Sequence, residues 1–61
     1  MYEYEIQKIT DALVETKSLL AKELTYQPQF RNNERIAFYN THITKLENML
    51  SDIWDKVSKA A

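Results

Sequence analysis

His42 is the only histidine of this 61-residue chain, and cysteine is absent. Metal sites in helical bundles usually combine Glu and His in a Glu-x-x-His pair. The residues three before and three after His42 are Tyr39 and Lys45, so that pair is missing. We therefore expect no metal-binding residue and interpret His42 as a partly buried residue at the flank of a helix.

The other side chains that could take part in catalysis are those of nine Asp and Glu residues and three serines. Most carboxylates fall at outer positions of the heptads described below, where charge keeps a helix soluble. A catalytic carboxylate pair would need a concave pocket that raises one pKa, and two helices offer little concavity. Glycine is absent, which argues against a phosphate-binding loop. We expect no catalytic or cofactor-binding residue and predict that the protein is not an enzyme.

The distribution of turn residues predicts a single turn. Pro28 is the only proline, and it disfavours helical backbone at Gln27. Asn32 and Asn33 are both suitable N-caps for a following helix. We predict one domain over residues 1–61, with helix 1 at about 2–25, a loop at about 26–32 and helix 2 at about 33–58.

Apolar residues recur with alternating spacings of three and four in both helices, as in heptad a and d positions. If the chain folds back at the loop, each seam residue of helix 1 faces one of helix 2, and the two residue numbers of every facing pair add to the same total. The pairs are Leu20 with Tyr39, Thr16 with Ile43, Leu13 with Leu46, Ile9 with Leu50, Ile6 with Ile53, and Tyr2 with Val57. The pattern predicts an all-α fold, an antiparallel, coiled-coil-like two-helix hairpin. We expect the hydroxyl of Thr16 to bond back to the preceding turn.

The flanks of this seam predict self-association. A domain of this size has a marginal core, and exposed large apolar side chains forgo roughly 1.5–3 kcal/mol each. Pairing two hairpins into a homodimeric four-helix bundle covers one apolar edge; the alternative is a monomeric hairpin bound to a larger partner. The candidate dimer face consists of Ala12, Leu19, Phe38, His42 and Met49. Val14, Ala21, Leu24 and Trp54 lie on the opposite edge.

The loop and its surroundings are rich in aromatic residues. In one interpretation, Tyr26 and Phe30 fold over Leu24 and Ile36 as a cap on the core. In the other, they form an exposed aromatic and arginine surface, a composition enriched in binding hot spots. The candidate partner surface comprises Tyr26, Phe30, Arg31, Arg35 and Trp54.

The net charge and the hydropathy of the chain limit the classes of partner that we expect it to bind. The net charge is -1, and the eight basic residues are spread along the chain without a basic stripe. No apolar run is long enough for a transmembrane helix, and the first residues do not resemble a signal peptide. We expect a cytoplasmic protein, or one of the host cytoplasm if the source is viral, that contacts no membrane.

Two resemblances suggest an alternative function. The layout resembles the Rop family of plasmid RNA-binding proteins, helical hairpins that dimerise into four-helix bundles. Asn33-Glu34, Phe38-Tyr39, Lys45 and Leu46 are similar to a local pattern of the Hha family of nucleoid-protein modulators. Our main expectation is a non-enzymatic protein-interaction module, a regulator or adaptor of the kind carried by phages and plasmids. The resemblances imply RNA binding or transcription modulation as the alternative.

Overall fold

Two long helices packed side by side form the whole architecture. The computed structural model describes residues 2–60; Met1 and Ala61, which the predicted domain includes, lie outside the described residues. Helix α1 spans Glu3–Leu24 and helix α2 spans Asn33–Ala60, with a single 3-10 turn at Pro28–Phe30 between them. The prediction of an all-helical hairpin is confirmed. Helix α1 begins and ends one residue inside the predicted bounds, whereas α2 continues two residues further.

The core lies along the seam between the helices. Ile9 and Leu13 of α1 and Leu46 of α2 are buried, and Ile43, Leu50 and Ile53 pack against them among the partly buried residues. Every predicted seam residue is buried or half-buried, which agrees with the predicted packing face of each helix. Thr16 is also buried, and its hydroxyl donates to the carbonyl oxygen of Ala12 at 2.7 Å, as predicted.

Helix α1 ends without the left-handed residue that commonly closes helices, because the chain has no glycine. No residue from 2 to 60 has a positive φ. The hydroxyl of Thr25 instead donates to the Lys22 carbonyl at 2.6 Å. Arg31 donates from Nε to the Tyr26 carbonyl at 2.9 Å and from Nη2 to the Leu24 carbonyl at 3.0 Å. Side chains thus satisfy the terminal carbonyls that a glycine cap would otherwise serve.

Helix α2 begins at an asparagine cap. Gln27 is extended, as the following proline requires, and Pro28 opens the 3-10 turn. Asn32 then precedes the helix, and its side-chain oxygen accepts the backbone N–H of Arg35 at 3.0 Å. Of the two asparagines considered as caps, Asn32 makes this hydrogen bond.

Neither helix in residues 2–60 combines the length and the apolar character needed to cross a membrane.

Candidate interaction surface

Four of the five residues of the candidate dimer face, Ala12, Leu19, Phe38 and His42, line one groove between the helices. The helical period places Met49 further along the same side, which we call the Leu19–Met49 edge. Ala12 and His42 are half-buried at its base, whereas Leu19, Phe38 and Met49 are exposed. A groove of about 270 Å³ runs between the helices here, lined by four of the five together with Glu15, Thr16 and Tyr39. Both helices contribute to the groove, so the edge is a two-helix face.

Aromatic rings organise the end of this edge nearer the loop. The rings of Phe38 and His42 stack, with centroids 5.8 Å apart and planes 10° from parallel. Phe38 also meets Tyr39 edge to face, at 6.1 Å between centroids. Because Tyr39 belongs to the seam, this contact ties the exposed ring to the core. Phe38 nevertheless remains 63% exposed, so its outer face is available to another molecule.

Met49 is flanked by charges of both signs on α2. A wide, open depression of about 560 Å³ lies along this helix, and its lining includes Lys45, Met49 and Asp52. Within residues 2–60, neither Lys45 nor Asp52 takes part in an ion pair; the pairs that form are Glu23 with Arg35 and Asp55 with Lys59. The charged rim beside the apolar edge is therefore unneutralised by the hairpin itself.

The predicted partner surface separates into two places. Trp54 is exposed on α2, and it lies 21 residues beyond Asn33, roughly 30 Å from the loop at the rise of an α-helix. It shares the edge opposite the groove with the exposed side chains of Val14 and Leu24. Trp54 and the loop aromatics therefore belong to different sites.

Of the two interpretations of the aromatic loop, the cap on the core is wrong. Phe30 is 71% exposed, and Tyr26 and Leu24 are exposed as well. The physical reason is that Arg31, rather than an aromatic ring, occupies the end of α1, where its guanidinium binds two backbone carbonyls. Arg31 is half-buried by these contacts, whereas Tyr26 and Phe30 are exposed together with the polar side chains of Gln27 and Gln29.

Glu23 is the residue that the sequence interpretation missed. Its side chain is buried, with the residue only 5% exposed. Oε2 accepts the backbone N–H of Asn32 at 3.1 Å, and Oε1 accepts from Nη1 of Arg35 at 3.5 Å. The heptad period of the sequence indicates this buried position, because Glu23 follows the seam residue Leu20 by three. The numbers of Glu23 and Ile36 also add to the same total as those of the other facing pairs.

The position of Glu23 gives its carboxylate a clear structural role. The N–H of Asn32 lies at the N-terminus of α2, where the helix dipole favours a negative charge. One carboxylate at the end of α1 thereby binds the start of α2 and an arginine of its first turn. Arg35, a predicted partner residue, is exposed but already has this intramolecular contact.

No three His, Cys, Asp or Glu side chains between residues 2 and 60 converge as a metal site would require.

Comparisons of this chain with protein-family models, with curated proteins and with solved structures found no match. The functional interpretation therefore depends on the surfaces described above.

Proposed function

We propose that this protein is a non-enzymatic interaction module that acts as a homodimeric four-helix bundle and binds another protein through its remaining exposed surface. The observation that carries the proposal is the Leu19–Met49 edge. Three large apolar side chains of this edge, Leu19, Phe38 and Met49, are exposed, and two of them, Leu19 and Phe38, line a groove to which both helices contribute. A second apolar surface of the same shape is the simplest complement to such a face.

The size of the core supports self-association. The buried apolar residues are Ile9, Leu13 and Leu46, a small number for two helices of 22 and 28 residues. Transfer of a large apolar side chain from water into a packed interior contributes about 1.5–3 kcal/mol. Leu19, Phe38 and Met49 are 42%, 63% and 44% exposed, so covering them would add about half of that amount for each side chain.

The surfaces that a dimer on this edge leaves uncovered are the sites for a heterologous partner. They are the closed end of the hairpin, with Tyr26 and Phe30, and the edge that carries Trp54. Tyrosine and tryptophan supply large contact areas at low conformational cost and are enriched in binding hot spots. Arg35 forms an ion pair with Glu23, which leaves less net positive charge for a polyanion at the closed end.

Sedimentation equilibrium over a range of concentrations tests the proposal, with Met49→Glu and Trp54→Glu compared with the wild type. We expect a wild-type dimer that Met49→Glu dissociates, because it introduces a carboxylate into the apolar edge. Trp54→Glu makes the same kind of change on the other edge and should leave the dimer intact. A folded wild type that stays monomeric throughout the range would refute the homodimer.

Binding of the partner is tested with Trp54→Ala and Phe30→Ala in capture experiments from host lysate. Capture that persists at high salt and is lost with one of these variants supports a protein partner. Recovery of nucleic acid, with affinity falling steeply as salt rises, would instead support the RNA-binding or nucleoid-modulator alternative.

A further inference from the structure

We propose that the second copy of the chain docks on the Leu19–Met49 edge in a syn orientation, with the loops of both hairpins at the same end of the bundle. In a syn dimer, α1 of one copy lies against α2 of the other at the same level. The inference rests on the proposed homodimer and adds its symmetry, which decides where the two aromatic loops stand.

Two arrangements place the same edge of two hairpins face to face. In the syn dimer the two-fold axis runs parallel to the helices. In the alternative, the anti dimer, the axis is perpendicular to the helices, so that α1 lies against α1 and the loops stand at opposite ends. Both bury the same apolar side chains, and both make neighbouring helices antiparallel. The charged residues that flank the apolar ones therefore decide between them.

In the syn orientation the flanking charges are complementary at each level. Residues that face one another across the hairpin also face one another across the interface, because α1 meets α2 of the second copy at the same height. Glu15 then stands opposite Lys45, and Lys8 stands opposite Asp52. All four side chains are exposed. None of the four forms an ion pair within the described chain, whose pairs involve other residues.

Opposite charges also face one another nearer the open end of the hairpin. Glu5 of one copy stands level with Lys56 of the other, and both are exposed. Each of these pairs occurs twice in a symmetric dimer. Like the flanking pairs of coiled coils, they set orientation more than they add affinity.

In the anti orientation the same charged residues face residues of like charge. An axis through the middle of the apolar edge passes at the level of Glu15 and Lys45, so Glu15 faces Glu15 and Lys45 faces Lys45 of the second copy. Lys8 is then level with Lys22, and Arg35 is level with Lys56. Shifting the axis toward the open end would relieve these contacts only by moving Phe38 away from the apolar side chains.

The available face is large enough for a stable dimer. The hairpin measures 50 by 15 Å across its broad side, which corresponds to about 750 Å² per copy and approaches the ~800 Å² of a typical stable interface. The groove of about 270 Å³ lies near the middle of this face. Leu19 and Phe38 of the second copy would stand at its level and can fill it.

Distance measurements between spin labels test the orientation. The chain lacks cysteine, so Gln29→Cys and Ser58→Cys each provide one labelling site, at the loop and near the open end. In the syn dimer both give short distances, about two to three helix spacings of 8–10 Å. In the anti dimer both give distances on the order of 40 Å. When the two labelled variants are mixed, the heterodimers carry one label at the loop and one near the open end. The distance between these two labels should be long in the syn dimer and short in the anti dimer.

Charge reversal provides an independent test at low ionic strength. In the syn dimer, Glu15→Lys places lysine opposite Lys45 twice and should raise the dissociation constant on the order of 10-fold. Lys45→Glu should do the same, and the double variant Glu15→Lys/Lys45→Glu should restore wild-type affinity. In the anti dimer each reversal replaces one like-charged contact by another, so the single variants would have little effect.

The outcomes separate the two proposals. Short loop-to-loop distances with rescue by the double variant support the syn dimer. Long loop-to-loop distances in a stable dimer overturn the syn orientation and leave the homodimer intact. A wild type that is monomeric at every concentration overturns both.

Discussion

Glu23 is predicted to be the residue whose removal most weakens the junction between the helices outside the apolar core. Its carboxylate binds the N–H of Asn32 at 3.1 Å and the guanidinium of Arg35 at 3.5 Å. A hydrogen bond to a charged group contributes about 1.5–3 kcal/mol. The Arg35 side chain is 56% exposed, so solvent screens the ion pair and its contribution stays below about 1 kcal/mol.

These magnitudes predict a graded series of variants. Glu23→Ala removes both contacts and should lower the free energy of unfolding by about 1.5–3 kcal/mol, toward the lower end because Asn32 is exposed and water can bind its N–H. Glu23→Gln keeps an amide oxygen for the Asn32 N–H and loses only the charge, so we expect about 0.5–1.5 kcal/mol. Glu47→Ala changes an exposed glutamate in α2 and serves as the matched control.

Urea denaturation followed by circular dichroism at 222 nm measures the series. All variants are compared at one protein concentration, since dimerisation makes the apparent stability depend on concentration. The expected order of destabilisation is Glu23→Ala, then Glu23→Gln, then Glu47→Ala. If Glu23→Ala and Glu47→Ala unfold within about 0.5 kcal/mol of each other, the junction does not depend on the buried carboxylate and the reasoning is wrong.

Thermal and urea unfolding of variants at four further positions checks other parts of the hairpin. Arg31→Ala should cost about 1 kcal/mol, and Arg31→Lys should not restore it, because Nε and Nη2 bind two different carbonyls and a single ammonium lacks that fork. Asn32→Ala should cost about 1 kcal/mol through loss of the cap bond to the Arg35 N–H; no change would show that the cap is dispensable. Thr16→Val should be neutral or stabilising by up to about 1 kcal/mol, because it buries a methyl in place of a hydroxyl whose acceptor, the Ala12 carbonyl, lies within a helix. Phe30→Ser should change stability by less than about 0.5 kcal/mol because the ring is exposed; a larger loss would mean that the ring packs.

The seam could be predicted from the sequence because its signal is periodic and local. Apolar residues such as Ile9, Leu13 and Leu46 repeat with the period of a helix, and a single turn at Pro28 leaves only one way to fold the two helices together. The constant total of facing residue numbers then fixes which layers meet. The same periodicity assigns residues to the two edges, since a residue's position around a helix depends only on its number.

Contacts at the closed end depended on the tertiary structure, because they join residues that no period relates. The heptad period places Glu23 in the seam, but it does not indicate that the carboxylate binds the N–H of Asn32 and the guanidinium of Arg35. Arg31 is of a residue type enriched in binding sites, yet its guanidinium binds the carbonyl of Leu24 at the end of α1 and that of Tyr26 just beyond it, and Phe30 stays exposed. Which polar groups satisfy the ends of two helices is decided by distances of a few ångströms in a loop. A residue pattern specifies the faces of helices, whereas only the folded chain specifies those distances.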